Sequence, residues 1–555
     1  MKKIFLMTFV ALAALFGNHA SAQISHGGSP LFNQGNTKVE TKTFYAPTLD
    51  NARYEQEDLN AVKGAGPMRV GIMQHVDVDL LDMASVVKDA QGTHYLLALN
   101  SPNASFVSVH FSEFQMAEGA ELFFYDKSGD VVLGSFVASD VKEEGDFYTQ
   151  SIPGDEIFVE YNVPAGQNPG RMHIDRICHG YKNIFRSISD MYEAQEESMK
   201  GQLGYAEGDC HINVVCSDGD DWRDQIRSVV ALELSTNMGS YMCSGAVINN
   251  TNQDRTPYVL TAFHCQDIDG LRTITTYFLY QSRTCNNNAG GSISKSITGA
   301  TIKAKQSYNG GSDFCLLQLS SSIPDSYTPY YAGWDRSSTG YPSLGACIHH
   351  PGGDYKKISF PRAVQRGTGS NAKFFLCGWL TGTENRGVTE QGSSGSPLFN
   401  GEKRIIGQLY AGSSACDYTE GTDLYGRVYN SWTGNNTDAT SLKPWLDPTN
   451  TGVNTLDGID YVDEPVAINS PEIDASNNLK VYPNPSNGMV HFDVDAMGDA
   501  NYKVFDLNGR CVLEGRTVLT ATSQAINLSA LQSGNYVVRL FTSSRSYTAN
   551  VIIAK

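Results

Sequence analysis

Beyond Gln23 the chain has no run long and apolar enough to cross a bilayer, which excludes helical membrane spans from all that follows. Positive charge is the second shortage. Lys and Arg number 41 against 59 Asp and Glu, a formal net charge of −18, and no basic stripe interrupts the deficit; nucleic acid, whose phosphates would be repelled, is excluded as a partner. Residues 23–200 carry 13 basic against 26 acidic side chains and residues 201–460 carry 19 against 24, so most of the acidity precedes the motifs described below. Internal repeats, low-complexity tracts and strands alternating with long amphipathic helices are also missing, which argues against solenoids and parallel α/β folds. Cysteine is not scarce, but among the 11 present no spacing fits a zinc ligand set, so neither a metal nor a cofactor is expected.

What is present begins with an export signal. MKKIFLMTFVALAALFGNHASAQ joins two lysines, a short apolar run and the small-residue triplet Ala20-Ser21-Ala22, so residues 1–22 are expected to be removed and the product to lie outside the inner membrane. In that compartment Cys210, Cys216, Cys243, Cys265, Cys285 and Cys416 read as disulfide partners. Cys178, Cys315, Cys347, Cys377 and Cys511 remain, and the odd total leaves at least one thiol without an intramolecular partner. Cys315, inside Phe314-Cys315-Leu316-Leu317, reads as a small buried hydrophobe.

At 555 residues several domains are expected, and the patterning is all-β throughout. Residues 23–200 alternate β-rich runs (His94–Leu99, Phe106–Phe111, Glu121–Asp126, Glu156–Tyr161) with turn signals, the rhythm of a small β-sandwich. The Glu- and Met-rich stretch Ser187–Lys200 suits a cleavage junction. Residues 201–460 again read as strands, among them Thr273–Tyr280 and Arg404–Tyr410, with one short helix expected over Ser441–Leu446. A polar, acidic linker over 461–478 leads into a second small β-domain, 479–555.

Three motifs in the middle segment point to chemistry. Thr261-Ala262-Phe263-His264-Cys265, Ser312-Asp313-Phe314 and Gly392-Ser393-Ser394-Gly395-Ser396-Pro397 supply a base, a carboxylate to hold its tautomer, and a serine on a glycine-flanked turn whose Gly392 and Ser394 amides can converge on an oxyanion. The order His264, Asp313, Ser394 is that of the two-barrel serine proteases. An α/β-hydrolase would place its histidine after the serine, and Ser396 stands where G-x-S-x-G requires glycine. Adjacent His349 and His350 would point to opposite faces of a strand and are not expected to act as a pair.

From Cys210 to about Asp460 these motifs, together with Cys210–Cys216, Ala332–Arg336, Ile348–Pro351, Gly387–Glu390 and Tyr425–Val428, resemble the lysyl endopeptidase family of secreted bacterial proteases with the chymotrypsin fold. The resemblance implies His264, Asp313 and Ser394 as the catalytic triad and Asp423 as the carboxylate that selects lysine. Read alone, Asp423 would be a turn aspartate. It also implies the disulfides Cys210–Cys416, Cys216–Cys285 and Cys243–Cys265; Cys347 and Cys377, without counterparts, are available for a further bridge. Tyr410 is expected near the pocket wall, in contact with substrate or in ordinary packing. Ser393 replaces the aspartate that captures a new N-terminus in trypsin-like enzymes, so restraint of the proenzyme must come from residues 23–200, with release expected between Lys200 and Gly201.

The last domain resembles the type A sorting domain of the type IX secretion system through Tyr482–Pro485, Val504–Gly509, Leu528–Leu531, Gly534–Val538 and terminal Lys555. The expected partners are therefore protein and peptide substrates and the secretion machinery, and the expected location is the cell surface or beyond. Cleavage after both Lys and Arg is the nearer rival reading. A non-catalytic adhesin on a protease scaffold is the more distant one, and a carbohydrate-binding module is the rival for the tail.

Overall fold

The computed structural model of the chain describes residues 27–32, 39–60, 66–140, 145–185, 210–285, 291–339, 342–379, 387–416, 421–461, 480–493, 498–505, 511–519, 524–541 and 546–555. The export signal, the Lys200–Gly201 junction and nearly all of the linker lie outside them. All the expected N-terminal strands form, within Gly92–Asn100, Phe106–Met116, Glu121–Asp126 and Glu156–Pro164. They belong to two sheets packed over one core in which Leu97, Leu99 and Tyr161 of one sheet meet Val107, Phe111 and Ile174 of the other. No helix among the described residues is long and apolar enough to cross a membrane.

Two antiparallel barrels follow, giving the all-β, chymotrypsin-like architecture. The first uses strands Val229–Thr236, Gly239–Val247, Tyr258–Ala262, Leu271–Phe278, Ala300–Gln306 and Phe314–Leu319. The second is built from strands that include Cys347–His349, Pro361–Arg366, Phe374–Trp379, Pro397–Phe399, Ile405–Gly412 and Thr422–Arg427. Each has its own apolar core, and a third cluster, with Ala246, Phe314, Trp334, Ile348 and Trp432, seals the space between them. The expected helix is a single turn, Lys443–Leu446.

The N-terminal sandwich does not stop at the first barrel. Its strand Met68–Asp79 pairs antiparallel with the edge of Gly239–Val247, in the register Ile72 with Gly239 and Met68 with Met242, so one sheet runs through both. Strand periodicity explains why this joint is buried. Along Val229–Thr236, Val230, Leu232 and Leu234 enter the barrel core, whereas Ala231 points into a second core made with Val70, Phe106, Ile184 and Phe185. Glu233 lies on that outer face and would be solvated on an isolated barrel. Here it is almost fully buried and accepts hydrogen bonds from Ser151 Oγ (2.6 Å), Ser240 Oγ (2.7 Å) and Tyr277 Oη (2.6 Å).

The tail, considered by itself, has a three-stranded and a four-stranded sheet around Val490, Phe492, Val504, Leu540 and Val551.

Candidate active site

His264 follows the fully buried strand Tyr258–Ala262, and the Cys243–Cys265 disulfide ties the next residue to the neighbouring strand. Asp313 enters from the opposite side. Phe263 N donates to Asp313 O (2.9 Å), His264 N to Oδ1 (3.2 Å), and His264 Nδ1 lies 2.7 Å from Oδ2. A carboxylate only accepts, which assigns the ring proton to Nδ1 and leaves Nε2 as the acceptor. Asp313 adopts a left-handed φ of 56° and is fully buried. Burial raises its pKa and the bonds to His264 oppose that rise. Gln408 of the second barrel holds this turn by donating to Ser312 O (2.8 Å), and Gly426 is required beneath it because a Cβ there would come within 1.8 Å of Ser312 O.

The Ser394 turn is clamped against the same strand. Ser244 N donates to Ser394 O (2.8 Å), and Ser244 Oγ donates to Gly392 O (3.0 Å). Gly395, at φ 82°, is so close to the histidine strand that a Cβ would sit 2.2 Å from Thr261 Oγ1; Gly392, at φ 89°, would press one against Gly353 N at 2.8 Å. The amides of Gly392 and Ser394 donate to no protein acceptor among the described residues, and no hydrogen bond joins Ser394 Oγ to His264.

His349 is the residue that the sequence undervalued. Fully buried, it places Nδ1 2.7 Å from Ser393 Oγ and Nε2 2.9 Å from Ser359 Oγ. Ser359 Oγ spends its proton on Val388 O (3.0 Å) and so must accept from Nε2, while Ser393 Oγ accepts from Glu390 N (3.2 Å) and donates to Nδ1. Every proton is assigned with a neutral ring. Burial agrees, holding the imidazole well below its ordinary pKa. His350 faces away and pairs with Asp354 O at 2.9 Å.

Asp423 lies at the base of a second cluster. Its carboxylate is fully buried and accepts from Trp379 Nε1 (2.6 Å) and Thr389 Oγ1 (2.5 Å) at Oδ2 and from Ser414 N (3.3 Å) at Oδ1. All three donors are neutral, and no cation pairs with Asp423 among the described residues. Its pKa is raised by burial against the pull of those donors. Trp379, Thr389 and Ser414 were not singled out from sequence; nothing in a strand tryptophan or a loop serine marks such a role. Gly412 runs under the carboxylate, where a Cβ would meet Oδ1 at 1.8 Å. Tyr410 packs edge-on to the His264 ring at 6.1 Å between Tyr308 and Phe374.

The disulfides Cys210–Cys416, Cys216–Cys285 and Cys243–Cys265 form as the resemblance implies. The additional bridge does not: Cys347 and Cys377 are free thiols within the apolar core of the second barrel, and the Cys347 sulfur packs instead on Ser396 Oγ at 3.4 Å. Cys315 is a buried thiol in the first barrel core, as expected. Cys210, His211 and Cys416 converge as three donors would around a metal, but both sulfurs are committed to a disulfide.

Residues 205–426 match the family model described as the lysyl endopeptidase C-terminal domain, and residues 480–554 match the secretion system C-terminal sorting domain. Both parts of the resemblance drawn from the motifs are borne out. A lysyl endopeptidase of Pseudomonas aeruginosa is 29% identical over 288 residues, 49% of this chain and 58% of that protein, so the match spans little more than half of that relative's length. Among solved structures, the Rv3671c protease of M. tuberculosis in its active form is 15% identical over 40% of this chain and 85% of its own, with a TM-score of 0.28. A thermostable serine protease, AL20, from an extremophilic microorganism is also 15% identical, over 37% of this chain and 92% of its own, with a TM-score of 0.28.

Proposed function

We propose that the chain is a secreted serine endopeptidase that cleaves on the carboxyl side of lysine and is made as a proenzyme. The observation that carries this reading is the pairing of a His264–Asp313 couple beside the Ser394 turn with a desolvated carboxylate, Asp423, that has donors but, among the described residues, no cation. In the reaction His264 Nε2 accepts the Ser394 proton as Oγ attacks the lysyl carbonyl, Asp313 stabilises the imidazolium, and the Gly392 and Ser394 amides receive the oxyanion. His264 then protonates the leaving amine. Water, activated by the same ring, hydrolyses the ester.

Lysine is favoured over arginine by how Asp423 is already occupied. Two donors fill Oδ2, and Oδ1, which accepts only the long bond from Ser414 N (3.3 Å), is left to meet a compact ammonium, whereas a guanidinium fork needs both oxygens free. Tyr410 would line the approach. The test has two parts. A fluorophosphonate probe should label the wild type and spare Ser394→Ala, and digestion of a mixed peptide library should give cuts after Lys with few after Arg; labelling of the variant ends the triad reading, and equal Lys and Arg cleavage ends the selectivity reading.

Restraint before activation is assigned to the N-terminal sandwich, whose pairing with the barrel edge extends to Met242, two residues from the Ser244 that anchors the Ser394 turn. Processing after Lys200 matches the proposed specificity. N-terminal sequencing of secreted Ser394→Ala made without other proteases should find no Gly201 terminus, and finding one would refute self-processing. The tail is assigned to export through type IX secretion, to the cell surface or outside.

A further inference from the structure

A cavity of about 300 Å³ opens in the second barrel away from the triad, lined by Arg366, Phe375, Asn400, Arg427 and Tyr429 among others. Arg427 lacks what a buried arginine ordinarily has, and the half-buried Arg366 beside it is also without a counter-ion among the described residues. Arg427 is only 7% exposed, with its guanidinium 5.1 Å from the Phe375 ring centre and 5.3 Å from that of Tyr429. Nη1 donates to Ala372 O (3.2 Å), but Nε is buried without an acceptor. Arg366, at the end of strand Pro361–Arg366, also buries an Nε with no acceptor. Neither makes a salt bridge among the described residues. Buried cations are normally paired, because desolvation without a counter-charge is costly.

The two guanidinium groups stand close enough to repel. Burial, and then the neighbouring Arg366 charge, lower the Arg427 pKa. Two carboxylates also line the cavity, Asp335, which accepts from Ser337 N (2.8 Å) and Asn400 Nδ2 (3.2 Å), and Glu402, which accepts from Ser343 Oγ (2.6 Å), and among the described residues neither forms an ion pair with Arg366 or Arg427. The space is larger than a water site requires, and two buried guanidinium Nε donors in its lining have no acceptor.

We propose that this cavity is a binding site for a small oxyanion, a phosphate or an organic carboxylate, held by Arg366 and Arg427. Guanidinium forks match the geometry of both anions, and the aromatic faces of Phe375 and Tyr429 hold Arg427 in place before the ligand arrives. The site is independent of the protease reading, since none of these residues belongs to the triad or contacts Asp423.

The experiment is calorimetric titration of full-length Ser394→Ala with inorganic phosphate and, in a second arm, citrate, each against chloride at matched ionic strength. Saturable binding to one site is expected, with Arg366→Gln weakening it about tenfold or more. Arg366 is the chosen variant because it is partly exposed, whereas Arg427 is part of the strand that carries Asp423. The stronger of the two arms identifies the anion class. Absence of saturation up to roughly 20 mM in both arms, or equal affinity in a folded Arg366→Gln protein, overturns the proposal.

Discussion

Replacing His349 tests whether a neutral hydrogen-bond relay holds the nucleophile turn where trypsin-like enzymes use an ion pair. His349→Ala leaves Ser393 Oγ without its acceptor and Ser359 Oγ without one donor, both in a fully buried site. Each interrupted bond costs about 1–2 kcal/mol and the emptied ring volume adds a cavity term, so a loss of about 3–5 kcal/mol is expected in denaturant unfolding. His349→Gln can accept from Ser393 and donate to Ser359, and should recover more than half of the loss. Because Ser393 lies between the two amides proposed to receive the oxyanion, kcat should fall roughly a hundredfold in the alanine variant, with KM little changed and the glutamine variant intermediate. The acid limb provides a second readout. The folded pKa of His349 is depressed below that of the unfolded chain, so its contribution is complete above about pH 6.5 and is lost as pH falls, by up to about 1.4 kcal/mol per unit. His350, lowered to about 3, acts in the same direction and persists in the variants, so His349→Gln should flatten the slope without abolishing it. An alanine variant as stable and as fast as the wild type would refute the relay.

Asp423→Asn keeps an acceptor for Trp379 and Thr389 but removes the charge; kcat/KM on lysyl peptides should fall at least about a thousandfold while the unfolding midpoint holds or rises, because a desolvated carboxylate has been removed. A retained lysine preference would remove Asp423 from the pocket. Cys243→Ser with Cys265→Ser opens the bridge beside His264 and should cost about 2–4 kcal/mol, read by thermal unfolding under non-reducing conditions. Deleting residues 479–555 should trap the protein in the periplasm, read by fractionation and blotting, and normal release would contradict the sorting assignment.

The residues legible in the sequence are those whose role is carried by short contiguous chemistry. Gly392 to Pro397 shows its tight turn in its glycines, and Thr261 to Cys265 shows a strand end that a disulfide can brace. Function that depends on contacts between distant segments left no such trace. The partners of His349 lie 44 and 10 residues away, and only the folded barrel reveals that two hydroxyls fix its tautomer. Glu233 is the sharper case. On a strand of alternating apolar residues a glutamate reads as the solvent side, a correct inference for an isolated barrel that fails because Ser151, 82 residues earlier, brings the sandwich over it. The sequence division at residue 200 and the continuous sheet from Met68–Asp79 into Gly239–Val247 are therefore compatible: a covalent boundary can lie between segments whose hydrogen bonds cross it. Cutting the chain there would leave the four-residue ladder, the shared apolar core and the Glu233 bonds in place. The separation of processing from release follows from that: a cut at Lys200 frees an end, while uncovering the Gly239–Met242 edge requires the sandwich to leave and Glu233 to lose its Ser151 donor.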